Sequence, residues 1–176
     1  MVILKTTKTM KVMETMNVQW ANVAEIEKIV PLFDAYRQFY ELPSDVGLSR
    51  ALLTARMNHQ QSKVVLATDE AGAALGFIQL YPMFSSLSLS LEGSSVWLLN
   101  DLFVSPQARG RGVGAALLEF VQAWSTTEKL GYLMLETAKT NTTAQRLYES
   151  QGWQRDEVYY TYYHTPSFGA GDGFAD

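Results

Sequence analysis

Val96-Trp97-Leu98-Leu99-Asn100-Asp101-Leu102-Phe103-Val104, a Ser105-Pro106 break, and then Arg109-Gly110-Arg111-Gly112-Val113-Gly114 form the stretch on which the reading of this chain turns. The first nine residues are strongly apolar and fit a central strand. After the glycines, Val113, Ala116, Leu117, Phe120, Val121 and Trp124 recur at three- and four-residue steps, the period of a helix with an apolar face. A glycine loop between such a strand and such a helix suits anion capture. Glycines let the backbone approach a ligand closely, and the free N–H groups and dipole of the first helical turn stabilise phosphate charge. Arg109 and Arg111 add direct positive charge. The spacing is not that of a dinucleotide loop, which needs G-x-G-x-x-G and an acidic residue about twenty positions on. It is not a Walker loop either, because Gly114-Ala115-Ala116 stands where Gly-Lys-Ser/Thr is required. Local spacing alone leaves open a glycine-rich turn that binds nothing.

Outward from this stretch, periodicity predicts the other elements. A first strand is expected at Asn17–Trp20, with Val18 and Trp20 on one face. Asn22 reads as a helix cap before a buried stripe of Ala24, Ile26, Ile29, Val30, Phe33 and Tyr36, with Pro31 as a point of kinking or division. A second helix, about Val46–Gln60, places Leu48, Leu52, Ala55 and Arg56 in register. Strands follow at Val64–Ala67 and, after the turn Asp69-Glu70-Ala71-Gly72, at Ala74–Tyr81. Ser85–Ser95 could be strand or loop, and the alternation of Leu87, Leu89 and Leu91 favours strand character. Downstream of the glycine loop, a strand is expected at Tyr132–Thr137, a short helix from Asn141 to about Gln151, and a last aromatic strand at Val158–His164. The order βααβββαβαβ is that of an α/β fold (α+β in some schemes): a mixed sheet covered on both faces.

Composition bounds the function. The 176 residues amount to one domain, 47% hydrophobic and 18% charged, which excludes disorder as the main state. A net charge of −4 argues against broad electrostatic binding to nucleic acid. The absence of cysteine excludes disulfides, thiolate metal sites and a cysteine nucleophile. His59 and His164 do not suggest a metal cage, so no metal is expected. No apolar run approaches the ~20 residues of a spanning helix, and the start makes a poor signal peptide, so a cytoplasmic protein is the expectation, with no membrane partner. Residues 1–16 read as an irregular leader, 17–164 as the domain and 165–176 as a flexible tail.

The motif Arg109-x-x-Gly112-x-Gly114 resembles the acyl-CoA pyrophosphate loop of the GNAT superfamily of N-acetyltransferases. Two further blocks carry the resemblance: Leu99-Asn100-Asp101-Leu102-Phe103-Val104 before the loop, and Asn141-x-x-Ala144-x-x-Leu147-Tyr148-Glu149-x-x-Gly152-Trp153 after the next strand. The ordered set covers about Val96–His164. It implies the GNAT fold, with splayed central strands forming an acyl-CoA cleft, and acetyl-CoA as cosubstrate. By this resemblance the backbone of Leu102, Phe103 and Val104 holds the pantetheine. The amides of Arg109, Gly110, Arg111, Gly112, Val113, Gly114 and Ala115 hold the pyrophosphate. Asn141 contacts the cofactor near its pantetheine arm, or simply caps its helix, and Thr142-x-x-Gln145 resembles a capping box.

Tyr148 takes the place of the general acid that protonates the departing thiolate, a role suited to a phenol protonated at neutral pH. Packing as a core aromatic is the competing role. The base is less clear. Family members often have Glu near the position of Asn100, and this chain has Asn100-Asp101 instead. Asn100 could orient a water or the amine. Asp101 could be the base, but strand alternation sets it opposite Asn100 unless a bulge intervenes. Glu136 on the adjacent strand is another candidate for the base, and also for contact with the amine, and waters could also carry the proton to solvent. The reaction implied is direct attack of a neutral primary amine on the thioester, with no covalent enzyme intermediate. A non-catalytic acyl-CoA-binding or sensing module is the alternative.

On the acceptor side, the connection Tyr36–Asp45 mixes aromatics with carboxylates, and Tyr40, Glu41 and Asp45 suit an amine with an apolar or cationic body. Tyr81, with Phe84 and Ser85, could form another wall. Leu99-Asn100-Asp101-Leu102 is similar to a GNAT branch with fungal histone- and polyamine-acetylating enzymes, which makes a polyamine, a lysine side chain or an amino acid plausible acceptors. The aromatic run Tyr159-Tyr160-Thr161-Tyr162-Tyr163 could pack internally, close the acceptor pocket or cross to a second copy, and a homodimer is expected.

Overall fold

The computed structural model describes residues 15–164. The first strand, β1, is Met16–Trp20, one residue longer at its start than expected; the expected leader up to residue 14 and the expected tail lie outside the described residues. Asn22 then caps a helical segment as its sequence suggests. Its Oδ1 accepts from the Ala24 N–H at 2.8 Å, and Glu25 Oε2 accepts from the Asn22 N–H at 3.2 Å, closing a capping box over a 3₁₀ turn at Val23–Glu25. Helix α1, Ile26–Phe39, follows and runs through Pro31 undivided. It buries Ile26, Ile29, Val30, Leu32 and Phe33.

Helix α2, Val46–Asn58, departs from the expected register. Ser49 and Leu53 are its buried residues, whereas Leu48 and Arg56 face outward. The cause is Asp34 on α1. This buried carboxylate accepts from Ser44 Oγ at 2.7 Å, the Asp45 N–H at 2.7 Å, Gln38 Nε2 at 2.9 Å and Ser49 Oγ at 3.3 Å. It therefore fixes both the α1–α2 loop and the rotation of α2. The Ser44 hydroxyl foremost, with Asp45, Ser49 and Gln38, holds its pKa below the ordinary value against the opposing effect of burial. A depressed carboxylate stabilises the fold above the unfolded pKa and loses that contribution as pH falls through the folded one. Asp34→Asn is expected to cost about 2–3 kcal/mol at pH 7, from charge-assisted hydrogen bonds lost. The gap between variant and wild type should begin to narrow below about pH 4, the unfolded carboxylate value, and close only below the lower folded value. Urea midpoints at pH 7 and pH 3 measure it; an equal gap at both would show that the charge contributes nothing.

Strands β2, Lys63–Asp69, β3, Ala74–Phe84, and β4, Ser95–Val104, follow. Helix α3, Val113–Thr127, then leads to β5, Tyr132–Leu135, and α4, Thr142–Ser150. The sheet order is β1-β2-β3-β4-β5, antiparallel except for the parallel pair β4–β5. The sheet is mixed and covered on both faces, as expected. One face packs Val65, Ile78, Leu80 and Leu99 against Val113, Leu117, Leu118 and Val121 of α3. The other packs Val64, Leu66, Phe77 and Phe103 against α1 and Leu53 of α2. Each fully buried leucine or phenylalanine here contributes about 1.5–3 kcal/mol. At the edge, Trp20, Trp97 and Trp124 surround the Lys63 ammonium, which sits 5.1, 5.9 and 5.4 Å from their ring centres.

Neither the last expected strand nor the segment open to strand or loop forms a strand among the described residues. Residues 85–91 form no strand, and Leu87, Leu89 and Leu91 are exposed. The intervening serines bind their own backbone instead. Ser85 Oγ accepts from the Leu87 N–H, Ser88 Oγ from Ser90, and Ser90 Oγ from Gly93. Residues 158–164 likewise form no strand. Asp156 Oδ1 accepts from the Val158 and Tyr159 N–H groups at 2.7 and 3.1 Å, turning the chain, and Val158, Tyr159, Tyr160, Tyr162 and Tyr163 are exposed. Apolar residues at both parities give that segment no single face to bury.

Candidate active site

The site lies where β4 and β5 part. Their ladder covers Val96–Leu99 against Tyr132–Leu135 and stops there, while β4 runs on to Val104. Leu102, Phe103 and Val104 pair with Ile78, Phe77 and Gly76 of β3 on one side. Their other edge, toward β5, has no strand beside it among the described residues. This is the splay expected of an acyl-CoA cleft, with backbone groups left for an extended arm.

At the end of β4 the chain turns through a 3₁₀ segment, Pro106–Ala108, into the glycine loop. Gly110 and Gly112 have φ of 73° and 84°, in the left-handed region that side chains with a Cβ avoid, and an added Cβ at either would meet nothing within 4 Å. Glycine is thus demanded by backbone conformation, and the space above it stays open. The first helical bond of α3 runs from the Ala116 N–H to Gly112 O at 3.0 Å. The N–H groups of Val113, Gly114 and Ala115 precede it and so remain for an anion, with no side-chain cap competing. Arg109 folds back along β4: Nε donates to Val104 O at 3.3 Å and the guanidinium lies 5.8 Å from the Phe103 ring centre. Arg111 is exposed beside the loop. The open cradle, the free amides and the unpaired strand edge fit the pyrophosphate and pantetheine of an acyl-CoA.

Asn141 caps α4, its Oδ1 accepting from the Ala144 N–H at 3.2 Å. The expected Thr142–Gln145 capping box does not form, because Gln145 Nε2 donates to Ala138 O and Lys139 O, each at 3.0 Å. One turn on, Tyr148 is half-buried against the α3-side core, its ring centre 6.3 Å from that of Trp153. Burial, and then the proximity of Tyr40, push its pKa above the ordinary phenol value.

The bulge that would re-aim Asp101 is present. Gln79 pairs with Asp101 and Leu80 with Leu99, which leaves Asn100 as an extra residue on β4. Before it, Trp97 and Leu99 face α3; after it, Leu102 and Val104 do. Asp101 and Phe103 consequently turn toward α1. Asp101 is buried, accepting from Gln79 Nε2 at 2.7 Å on Oδ2 and from Asn100 Nδ2 at 2.9 Å on Oδ1, while the nearby Tyr36 hydroxyl donates to Asn100 O at 3.5 Å. Burial raises its pKa, and the polar side chains of Gln79, Tyr36 and Asn100 oppose that rise. Tyr36 is itself packed against Phe33, Phe77, Phe103 and Tyr40, and its phenol is pushed far above the ordinary value, chiefly by burial.

Sequence reasoning gave Tyr36 a core position and passed over Gln79. The available signals were a hydroxyl at the end of an apolar stripe and a glutamine inside an apolar strand. Tyr40 meets Tyr36 edge-on at 5.2 Å, and Tyr81 accepts from Gln79 Nε2 at 2.9 Å. Asp45 is the N-cap of α2, its Oδ1 accepting from the Leu48 N–H at 2.8 Å, and Glu41 is an exposed residue at φ 62°. Glu136 lies outside the Asp101 network, exposed, and accepts from Tyr163 OH at 2.7 Å. Phe84 ends β3 opposite Ser95, away from Gln79 and Asp101. No cluster among the described residues has the His, Cys, Asp or Glu groups to hold a metal ion.

A parallel strand pair that parts at Leu99, with an open glycine loop at the start of the following helix, fits an acyl-CoA-dependent acetyltransferase. Residues 26–153 match the model of the acetyltransferase (GNAT) family, and the chain belongs to that family. It is 38% identical over 84% of its length to YhfO of Bacillus subtilis, described as an uncharacterized N-acetyltransferase, of which it covers 95%. It is 35% identical to a probable acetyltransferase of known crystal structure, covering 86% of this chain and 99% of that one with a TM-score of 0.80. The fold also matches an aminoglycoside N-acetyltransferase solved with CoA, at 23% identity and a TM-score of 0.68 over 86% of this chain and 95% of that one.

Proposed function

We propose that this chain transfers the acetyl group of acetyl-CoA to a primary amine by direct attack, with Asp101 as the base and Tyr148 as the acid. The observation that carries this reading is the bulge at Asn100, which turns Asp101 to the α1 side, where Tyr36 and Tyr40 lead toward Tyr148. Bound acetyl-CoA supplies a thioester carbonyl carbon open to nucleophiles. The backbone of Leu102, Phe103 and Val104 and the amides of residues 109–115 hold it, with Asn141 at the start of α4 beside its arm. An alkyl amine is mostly protonated at neutral pH and must lose that proton before it attacks. Asp101 takes it, directly or through a water positioned by Asn100, and its raised pKa makes it a better base than an ordinary carboxylate. As the new C–N bond forms and the C–S bond breaks, the Tyr148 hydroxyl donates its proton to the leaving sulfur, and the nitrogen, left cationic by its attack, gives its second proton to water. Solvent then restores both side chains.

The acceptor enters past Tyr40, Glu41 and Asp45 on one side and Tyr81 on the other, with Glu136 at the end of β5 as a further contact. A polyamine, a lysine side chain and an amino acid each present the required amine. The likeness of Leu99-Asn100-Asp101-Leu102 to the fungal histone- and polyamine-acetylating branch belongs to the same proposal. Release of CoA from acetyl-CoA, followed across polyamines, amino acids, aminoglycosides and lysine peptides, is expected to rise with at least one class. Tight acetyl-CoA binding without turnover of any would turn the reading toward a binding or sensing module. A cytoplasmic homodimer completes the proposal, supported by the exposed aromatic segment at 158–164; a monomer mass by light scattering would remove the dimer.

A further inference from the structure

We propose that the accepted amine carries a carboxylate a few bonds from its nitrogen, and that Arg56 and Tyr81 receive that carboxylate. The inference rests on the acetyl-transfer reading above and narrows its acceptor. An open pocket of about 460 Å³ lies between the C-terminal end of α2 and β3, lined by Arg56, Gln60, Gln61, Tyr81 and Pro82. Its polar groups are a guanidinium, two amides and a phenol, and none of the lining residues is acidic. Arg56 Nη1 donates to Gln61 Oε1 at 2.9 Å, so a neutral amide oxygen already sits where a carboxylate oxygen would bind more strongly.

Tyr81 supplies the second donor. Its phenol oxygen accepts from Gln79 Nε2 at 2.9 Å, and the Arg56 guanidinium lines the same pocket. With the Gln79 donor on that oxygen, the hydroxyl hydrogen is directed away from it and is free to donate. Burial foremost, and then the nearby charge of Asp101, keep the phenol protonated. The link to the reacting centre is short. The same Gln79 Nε2 that touches the phenol donates to Asp101 Oδ2 at 2.7 Å. One amide nitrogen therefore stands between the anion donors and the carboxylate that takes the amine's proton. That spacing suits an amine and an acid on neighbouring carbons, as in an α-amino acid. A second ammonium group in the same place would meet the Arg56 charge, so selectivity comes from repulsion as well as attraction.

The test compares acetyl transfer by the full chain on L-leucine, L-methionine and L-threonine, their amides, and the matching decarboxylated amines, with spermidine and kanamycin as cationic acceptors. At least one amino acid is expected to exceed its own amide in kcat/KM by about tenfold or more, as a hydrogen-bonded charge is worth at this scale. Arg56→Gln should lower kcat/KM for that amino acid about 10- to 100-fold, mainly through KM, and bring the acid-to-amide ratio toward one. Arg56→Lys should restore part of the ratio. Amides, amines or the cationic acceptors used as well as the acids would overturn the carboxylate and leave acetyl transfer standing. An Arg56→Gln variant that slows every acceptor by one factor, with the ratio unchanged, would also overturn it, showing a structural role. No turnover of any acceptor despite acetyl-CoA binding would overturn the transfer reading and this one together.

Discussion

Gly112→Asp is expected to raise the Kd for acetyl-CoA by about 100-fold or more while leaving the fold intact. Backbone strain and charge both contribute. At φ 84° an L-residue costs about 1–2 kcal/mol in strain, part of which relaxes at the cofactor's expense. Charge weighs more. A carboxylate about 5 Å from a phosphate charge loses about 3 kcal/mol at an effective dielectric of 20, which alone exceeds a factor of 100. No protein atom lies within 4 Å of the added Cβ, so the damage falls on the ligand and not on the packing. Gly112→Ala separates the two effects, since it keeps the strain and omits the charge; it should weaken binding by a smaller factor. Calorimetry on both variants, with circular dichroism to confirm folding, measures the effect. An unchanged Kd for a folded Gly112→Asp would sink the assignment of this loop to the pyrophosphate.

The loop was legible in the sequence because its physics is local. Left-handed φ at Gly110 and Gly112, a free helix start at Val113 and a strand ending at Val104 all leave marks within a few residues. The sheet and the helices were legible for the same reason, since buried stripes recur at fixed steps. What escaped depends on contacts distant in the chain. Asp101 changes faces through a single unpaired residue, Asn100, and the bulge is set by how β3 and β4 register, which no window of one strand contains. The register of α2 escaped because Asp34, on another helix, draws Ser49 inward and leaves Arg56 facing outward. Residues 85–91 and 158–164 show the opposite failure. Their apolar content favours strands, but serine hydroxyls and the Asp156 carboxylate take up backbone N–H groups locally before any neighbouring strand can.

Tyr148→Phe is expected to lower kcat by about 10- to 1,000-fold, because it removes the proton donor and keeps the ring. The spread reflects how well solvent substitutes at the sulfur. The affinity for acetyl-CoA should change little, since the hydroxyl acts on charge that develops only as the C–S bond breaks. The pH profile carries a second signature. An acid must be protonated, so activity falls as pH rises through its pKa. Burial, with Tyr40, lifts that pKa in the folded protein, which sets the alkaline limb above the ordinary tyrosine value near 10. The variant should lose this limb. A tyrosine that serves only as core would behave otherwise: its ring contact with Trp153 survives in phenylalanine, so kcat and the pH profile would stay native and only the melting temperature would shift. Measuring kcat, Kd, the alkaline limb and Tm on one preparation separates the two. Native turnover of a good acceptor by Tyr148→Phe would pass the protonation of the thiolate to solvent or to another group.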